Sequence, residues 1–569
     1  MEGQFSSQDA GDAPTGLFSE RLLRWIDRKR LWVLAGVVVL YAVSITARWR
    51  VAPDSALSMS LGRSLAEGEG FVYQGEPHKW VEPGLPWVVA ASFRMFGEDN
   101  YLPLTLFVLA CGVAALALAY QLFKLHLGRP GAVVLTTLLA VCETFYRYCY
   151  QIVTDMPFLV GLLAVMLAYD RLTLGLPERE EGPPPKPVGA WWDWLSLVAG
   201  TFIMCAFRPT IITFLGALLV ATAWHLLRGP YRARHVIVAA VVLASVVAFR
   251  LSDPRRSTVT ESAHREATLK QLLTEKRGFA LHRMVTQFVP EMLSEYTPES
   301  VLGIELGTGL DEPFSVVLIA LGVTLATRRV LWGAWVAATV AQMAFWLPRE
   351  RYYLPIIPLL LLAMWYAALW LERRLKPPAG AIAFAGVVLL MFVPNLLQDG
   401  VFITEQRWRG ITRADPRDPS IRPIVDMARV IADKVSDHDI VLAEQARELT
   451  YFSRRKVVAP PRSLRQPPTE KQEQLFDDEF RSAREQYVVL PEERKEHHVL
   501  ELADRLGLAV GPVVATVKSP PVHHRKRPDL TLNRLVPKQA QAGDAAGPTP
   551  GSTSAGSPPP ATRSAPAAE

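Results

Sequence analysis

Long apolar runs separated by short basic turns constrain the fold of this chain more than any other feature. A membrane-spanning helix needs roughly 20 predominantly apolar residues, and runs of that length recur as far as Leu397. They exclude a soluble multi-domain protein, so we predict an all-α polytopic membrane domain at 31–397 with about eleven transmembrane helices. The predicted helices are 31–49, 101–123, 131–149, 155–173, 191–207, 209–227, 235–251, 313–327, 330–347, 352–371 and 379–397.

The basic residues in the turns predict the orientation of these helices. Five of them precede the first helix, namely Arg21, Arg24, Arg28, Lys29 and Arg30. By the positive-inside rule, segment 1–30 is therefore expected to be cytoplasmic. Alternation then places the short basic loops inside and the long loops, 50–100 and 252–312, outside. The net charge of +6 is explained by these turns, so it does not indicate a nucleic-acid partner.

The composition changes after Leu397. An odd number of helices places residues 398–537 outside, where a helix at Ile421–Val435 and short strands predict a small extracytoplasmic α/β domain. The predicted strands are Asp439–Ala443, Lys456–Ala459, Gln486–Leu490 and Val513–Val517. Residues 538–569 are rich in Pro, Ala, Gly and Ser and predict a disordered tail. The apolar run Trp87–Phe96 in the first outer loop is too short to span and predicts an interfacial helix.

Two acids lie where predicted helices meet the outer face. Asp54 follows the first helix, and Asp155 opens the fourth, two residues before Pro157. Either acid could simply cap a helix, because carboxylates stabilise helix N-termini. If the two acids meet, they could instead share general-base work or hold a divalent cation, Mg²⁺ or Mn²⁺. We treat Asp54 and Asp155 as candidate catalytic residues and candidate metal ligands.

Other polar residues are predicted at the same face. Arg208 and Arg351 stand at tight turns between apolar runs, and Tyr352 follows Arg351. Guanidinium groups at headgroup depth favour phosphate, because each donates two parallel hydrogen bonds. Arg147 is more simply explained by a side chain that extends to lipid headgroups. A further group of candidate substrate-binding residues lies in the first outer loop: His78, Lys79 and Glu82.

Common enzymatic motifs are missing from the sequence. It contains no GxSxG, HExxH or Walker motif. The four cysteines form no CxxC pair, which argues against a disulfide framework or a zinc site. The chemistry must therefore come from dispersed residues.

The dispersed residues together resemble a known superfamily. The acid after the first helix, the stretch Ser64–Phe71 and the Pro-containing run that ends Met95-Phe-Gly97 resemble the first outer loop of GT-C glycosyltransferases. The similar branch is the protein O-mannosyltransferase-like group, which includes aminoarabinose transferases of lipid A. Thr154-Asp-Met-Pro-Phe, Phe207-Arg-Pro and Arg351-Tyr-Tyr-Leu-Pro resemble later signatures of that group. The resemblance covers about residues 30–400.

The resemblance implies an integral membrane glycosyltransferase of hexosyl or pentosyl type. It implies a polyprenyl-phosphate-linked sugar as donor and a lipid, glycan or protein acceptor at the outer face. Asp54 would activate the acceptor or bind a metal, Asp155 would support it, and Arg208 and Arg351 would hold the donor phosphate. Two positions depart from the family pattern. Ser55 stands where many relatives have a second acid, and Glu82-Pro-Gly replaces a Lys-Pro-Pro motif.

Two other functions are compatible with the sequence. A transporter or flippase of lipid-linked sugars would have acids inside the bundle and broken helices near the membrane centre. A non-catalytic membrane protein would use the outer domain to bind a partner. Clustering of the acids at one outer face favours the enzyme. The Ala-, Arg- and Pro-rich composition is typical of a GC-rich bacterium, which would place the chain in the inner membrane with a periplasmic C-terminal domain.

Overall fold

A computed structural model gives the architecture of most of the chain. It describes residues 17–78, 81–173, 191–228, 232–253, 282, 284–307, 309–345, 349–376, 378–408, 411–412, 415–416, 420–459, 477, 480, 482–491, 506–519 and 529–537. Lys79, residues 254–281 of the second outer loop and the predicted tail at 538–569 lie outside these residues.

The N-terminal two thirds of the chain is helical. Its helices are α1 (Phe18–Val43), α2 (Pro53–Glu67), α3 (Gly84–Phe96), α4 (Leu102–Ala140), α5 (Glu143–Tyr148), α6 (Asp155–Thr173), α7 (Trp191–Phe207), α8 (Ile211–Arg228), α9 (Arg232–Ser252), α10 (Thr297–Leu302), α11 (Asp311–Thr324), α12 (Val330–Phe345), α13 (Ile357–Arg374) and α14 (Ala379–Trp408). Shorter helical turns are Met284–Phe288, Val289–Glu291, Met292–Tyr296, Leu325–Thr327 and Glu350–Tyr352.

Several of these helices can cross a membrane by length and composition. In the described part of the chain, five reach the required length and hydropathy: Leu102–Ala140, Asp155–Thr173, Ile211–Arg228, Ala233–Ser252 and Ala379–Arg407. Two shorter apolar helices accompany them, Trp191–Phe207 and Val330–Ala344. The chain is therefore an integral membrane protein, while the predicted count of about eleven spans stays a prediction.

Helix boundaries differ from the prediction at several places. The first helix spans Phe18–Val43 instead of 31–49, and the last runs past 397 to Trp408. The predicted helix 131–149 is broken between Ala140 and Glu143. The predicted helix 352–371 begins only at Ile357, after the turn Glu350–Tyr352. Hydropathy marks where a helix is apolar, whereas capping and packing decide where it ends.

The predicted turn at Lys124–Arg129 is a kink inside α4. Gly128 has φ 71°, a left-handed backbone conformation that glycine adopts without steric cost. Pro130 follows two residues later and cannot donate a backbone hydrogen bond. The kink divides α4 into two helical segments, as the sequence predicted.

The first outer loop contains two helices and a small hairpin. The strands β1 (Val72–Tyr73) and β2 (Glu76–Pro77) pair antiparallel between α2 and α3. Helix α3 includes the predicted Trp87–Phe96 segment. It packs closely on α2 at Gly62, where an added Cβ would lie 2.4 Å from Val89 Cγ1. This packing fixes the loop that carries Asp54.

The C-terminal part has α/β structure. Two short strands, β3 (Ile411–Thr412) and β4 (Asp415–Pro416), pair antiparallel. A five-stranded sheet follows in the order β6-β5-β7-β9-β8. Its elements are α15 (Arg422–Lys434), β5 (Ile440–Leu442), α16 (Ala446–Ser453), β6 (Val457–Val458), β7 (Gln486–Pro491), β8 (Leu508–Val517) and β9 (Leu530–Pro537). Strands β5, β6 and β7 run parallel, while β9 lies antiparallel to both β7 and β8.

Strands occur at all four predicted places, and β9 is an additional strand that the sequence pattern did not predict. Its partners in the sheet, β7 and β8, begin 44 and 22 positions before it in the chain. The local residue pattern does not predict β9, because this strand is stabilised by partner strands that are distant in sequence.

The C-terminal α/β domain (Arg422–Pro537), called the outer domain after its predicted side of the membrane, is anchored through α16 on the loop predicted to be the first outer one. The Arg63 guanidinium lies 4.2 Å from the ring centroid of Tyr451 and donates a 2.9 Å hydrogen bond to its backbone oxygen. The Tyr451 ring also contacts Trp49, with ring centroids 5.1 Å apart. Trp49 in turn pairs with Ile411 in an antiparallel bridge. These contacts place the N-terminal end of α16 next to the beginning of α2.

Candidate functional site

Asp54 lies in the first turn of α2 and is engaged by two arginines. Arg351, in the turn Glu350–Tyr352, donates a hydrogen bond to Oδ2. Arg447, in the first turn of α16, donates to Oδ1 at 2.5 Å. Burial raises the pKa of this carboxyl group, but the two guanidinium groups outweigh burial, so the pKa lies below its usual value. Asp54 is thus ionised at neutral pH and remains partly open to water.

Ser55 takes the capping role that was considered for Asp54. Its Oγ accepts hydrogen bonds from the backbone N–H of Ala52 at 3.0 Å and from Trp49 Nε1 at 3.1 Å. It also donates to the Ala52 carbonyl at 2.8 Å. Ser55 is buried, so a second carboxylate at this position would displace these bonds. Asp54 lies in the first turn of α2 but is not the residue whose side chain caps it.

Asp155 forms a buried ion pair with Arg208. Asp155 is the first residue of α6, and Arg208 directly follows the last residue of α7. The side chains are 2% and 8% exposed. Helices α6 and α7 touch closely, because an added Cβ on Gly200 would lie 2.8 Å from the Gly161 carbonyl oxygen. The crossing of these two helices thus fixes the distance between their outer ends.

Tyr352 connects the two carboxylate–arginine groups. The guanidinium carbons of Arg208 and Arg351 each lie 5.2 Å from the centroid of its ring. Burial lowers the pKa of Arg351, but the carboxylates of Asp155 and Asp54 outweigh burial and raise it above the usual value. Both acids therefore act on the same guanidinium group, and the two sequence-predicted acids meet at one site.

Tyr352 and the three arginines line one cavity of about 350 Å³ together with Asp54, whereas Asp155 does not line it and pairs with the lining residue Arg208. The charged residues that line it are Asp54, Glu82, Arg208, Arg351 and Arg447. The cavity lies between the first outer loop, the outer ends of α6 and α7, and α16 of the outer domain. A cavity of this size accommodates a sugar and a phosphate group.

The other sequence-predicted residues take different positions. Glu82 is buried and forms an ion pair with Arg250 at the end of α9, with a shortest N–O distance of 2.9 Å. His78 lines the cavity, and its ring meets that of Tyr73 edge to face at 5.7 Å. Lys79 lies outside the described residues.

Arg147 is paired within the protein instead of extending to headgroups. It lies in α5 and forms ion pairs with Glu143, at 3.4 Å, and with Glu350. Glu350 precedes Arg351 in the same turn. Arg147 thus attaches this turn to α5 and helps to set the position of Arg351.

The carboxylates at the site do not have the surroundings of metal ligands. Among the described residues, no group of three or more His, Cys, Asp or Glu side chains could hold a metal ion. The oxygens of Asp54 and one oxygen of Asp155 accept bonds from arginines. A set of two carboxylates surrounded by cations does not fit Mg²⁺ or Mn²⁺. The predicted binding of a divalent cation by Asp54 and Asp155 is therefore not carried into the proposed function.

Sequence reasoning missed Arg447 and Arg250. Arg447 lies 393 positions after its partner Asp54, in a domain rich in arginine. Arg250 ends an apolar helix and looks like an ordinary positive charge at the membrane surface. No local motif distinguishes either residue, since their roles depend on the packing of distant segments.

Comparisons with known proteins agree with this architecture only at the level of structure. No protein-family model matches the sequence, and no curated protein matches it. Among solved structures, the apo oligosaccharyltransferase of Archaeoglobus fulgidus has a TM-score of 0.51 at 12% identity, covering 84% of this chain and 71% of that one. ArnT from Cupriavidus metallidurans in the apo state has a TM-score of 0.49 at 14% identity, covering 88% of this chain and 97% of that one.

A second ArnT structure, bound to undecaprenyl phosphate, has a TM-score of 0.47 at 14% identity, with the same coverage of both chains. The likeness to the oligosaccharyltransferase establishes the fold and no more. At the level of the fold, this likeness agrees with the resemblance that the sequence motifs predicted.

Proposed function

We propose that this protein is an integral membrane glycosyltransferase. It transfers a hexosyl or pentosyl group from a polyprenyl-phosphate donor to a lipid, glycan or protein acceptor at the extracytoplasmic face. The observation that carries the proposal is that Asp54, Arg208 and Arg351 line one cavity, with Asp155 paired to Arg208 beside it. A donor with a long apolar chain stays in the bilayer, so an enzyme that uses it needs a site at headgroup depth.

The residues of the site have separate roles in this reaction. The acceptor hydroxyl attacks the anomeric carbon of the donor sugar, and the bond from that carbon to the phosphate oxygen breaks. The bonding electron pair leaves with the polyprenyl phosphate, where Arg351 and Arg208 stabilise the new negative charge. Asp54 takes the proton of the acceptor hydroxyl. Asp155 does not touch the reacting atoms and positions Arg208.

Asp54 suits this role through its position. Its side chain is 44% exposed, whereas Asp155 is buried. An acceptor from the aqueous phase can therefore reach Asp54. The ion pairs keep Asp54 ionised, so it is ready to accept a proton over the whole neutral range.

The test is transfer of a labelled sugar from polyprenyl phosphate by the purified full-length protein. We expect Asp54→Asn to reduce the rate by about a hundredfold or more, since it removes the general base. Asp155→Asn should reduce it by a smaller factor, about tenfold, because Arg208 stays present but loses its partner. Asp27→Asn is the matched control, since Asp27 pairs with Arg30 in α1 and neither residue lines the cavity.

Two outcomes would contradict the proposal. If the wild type binds the donor but transfers no sugar to lipid, glycan or protein acceptors, a transporter or a partner-binding protein becomes the better explanation. If Asp54→Asn retains wild-type turnover, the site has been assigned to the wrong residue.

A further inference from the structure

The outer domain contributes a cation directly to the candidate site. Arg447 lines the cavity and donates a hydrogen bond to Oδ1 of Asp54, whereas Arg351 donates to Oδ2. Its side chain is 42% exposed, whereas that of Arg208 is 8% exposed. Arg447 is therefore accessible to a ligand in the cavity, and its only described ion-pair partner is Asp54.

The position of Arg447 is fixed by contacts on either side of the site. Helix α16 is anchored by Tyr451 on Arg63 and Trp49, and Thr450 Oγ1 accepts a 2.8 Å hydrogen bond from Gln74 Nε2. Gln74 belongs to the turn between β1 and β2 in the first outer loop. Arg447 is thus carried by a helix that is attached to the loop bearing Asp54, so its guanidinium group is preorganised at the cavity.

Positive charges outnumber negative charges around the cavity. Asp155 pairs with Arg208, and Glu82 pairs with Arg250. Arg351 and Arg447 share the single carboxylate of Asp54. Among the described residues that line the cavity and their ion-pair partners, the arginines exceed the carboxylates by one. Glu448, the neighbour of Arg447, does not line the cavity. The excess charge favours an anionic ligand.

A phosphate group has the geometry to use this excess. Two guanidinium groups that bond to the two oxygens of one carboxylate lie at nearly the spacing needed for two oxygens of one phosphate. A phosphate that accepted both bonds would replace Asp54 as their partner. It would also leave the carboxylate free to accept a proton.

We propose that Arg447 is a phosphate-binding residue of the outer domain, which bonds to Asp54 in the empty site and to the phosphate of the polyprenyl donor in the occupied one. This inference rests on the proposed function. It adds that the site is incomplete without the outer domain, and that Asp54 competes with the phosphate for the two arginines. When the donor phosphate takes the place of Asp54 as partner of the two arginines, the Asp54 carboxylate becomes free to act as the base.

The test measures the affinity of purified full-length protein for undecaprenyl phosphate in detergent. We expect Arg447→Ala to bind about tenfold to a hundredfold more weakly, because one charge-assisted bond is lost. Arg447→Lys should retain part of the affinity, since it keeps the charge without the fork. Asp54→Asn should bind more tightly than wild type, because the competing carboxylate has been removed.

The double variant Asp54→Asn/Arg447→Ala tests whether the tighter binding expected of Asp54→Asn depends on Arg447. If the two residues share one exchange, the gain from Asp54→Asn shrinks when Arg447 is absent. Arg429→Ala is the control, because the exposed Arg429 lies in α15 of the same domain and pairs with Asp426. Inorganic phosphate and undecaprenol serve as competitors, to separate recognition of the phosphate from recognition of the chain.

Each result decides between the two proposals. Unchanged affinity in Arg447→Ala, with normal binding by the wild type, would overturn the role of Arg447 and leave the proposed function intact. Weaker binding by Asp54→Asn would overturn the exchange. Failure of the wild type to bind undecaprenyl phosphate, or equal competition by undecaprenol, would overturn the proposed function itself. If Arg447→Ala does not fold, the comparison between Arg447→Lys and wild type carries the test.

Discussion

At the scale of single residues, the ion pairs of the site differ in how much they contribute to stability. Asp54 and its arginines are partly exposed, so water screens their attraction and their net contribution is small. Asp155 and Arg208 are buried, where removal of one partner leaves an uncompensated charge. The first group is therefore available for exchange with a ligand, whereas the second is part of the framework.

We predict that Arg208→Gln lowers the free energy of unfolding by about 3 kcal/mol, because Asp155 would remain buried without a cation. The double variant Arg208→Gln/Asp155→Asn should recover part of this loss, since both charges are then absent. Chemical denaturation in detergent measures both values. Arg30→Gln is the control and should cost less than about 1 kcal/mol, because the Arg30–Asp27 pair is exposed. Equal stability of Arg208→Gln and wild type would show that the pair is not buried in the folded protein.

The residues that the sequence indicated share one property. Asp54, Asp155, Arg208 and Arg351 each lie at a helix end, where a charge interrupts an apolar pattern and is visible locally. Arg447 lies on a polar helix among many other charges, and only its contact with Asp54 distinguishes it. Such a contact depends on the packing of the outer domain, which the local pattern does not contain.

At the scale of secondary-structure elements, the crossing of α6 and α7 determines the geometry of the buried pair. Asp155 begins α6 and Arg208 follows α7, so any change in the separation of these helices moves the two charges apart. Gly161 and Gly200 allow the backbones to touch. Small residues serve this purpose in membrane helices, because lipid supplies no hydrophobic force to bring helices together.

We predict that Gly200→Val destabilises the protein by about 1–3 kcal/mol, because the added side chain would force apart two backbones that already touch. Sugar transfer should fall with it, since the outer ends of both helices shift. Gly216→Val in α8 is the matched control, because an added Cβ there meets nothing within 4 Å. Thermal unfolding in detergent and the transfer assay give the two readouts. Equal effects of both substitutions would indicate loss of helix propensity or of side-chain entropy in place of a steric clash.

The sequence predicted which segments form helices and strands more accurately than it predicted where they begin and end. Apolar runs of spanning length indicate helices wherever they occur, and alternating residues indicated strands β5 to β8. The break at Val141–Cys142 was not predicted, because no proline or glycine marks it. The extension of α14 to Trp408 was not predicted, because the residues after Leu397 include several polar side chains and Gly400. Such boundaries are set by tertiary packing, which overrides local propensity.

At the scale of the whole molecule, the outer domain and the membrane domain form one functional unit. The site draws Asp54 from the first outer loop, Asp155 and Arg208 from the membrane helices, and Arg447 from the outer domain. Folding of the site therefore requires the docking of α16 on α2. The centre of this docking contact is Tyr451, which is fully buried between Trp49, Tyr101 and Arg63.

We predict that Tyr451→Ala weakens the docking of the outer domain by about 3 kcal/mol or more, because it removes a buried aromatic ring and its cation–π contact. Hydrogen exchange should increase in α2 and α16 together, while the membrane helices stay protected. Donor affinity should fall to about the level of Arg447→Ala, since the guanidinium group leaves the cavity with its helix. Val513→Ala in the exposed part of β8 is the control and should change none of these values. If Tyr451→Ala exposes α16 but binds undecaprenyl phosphate as wild type does, the outer domain is docked for a purpose other than holding the donor.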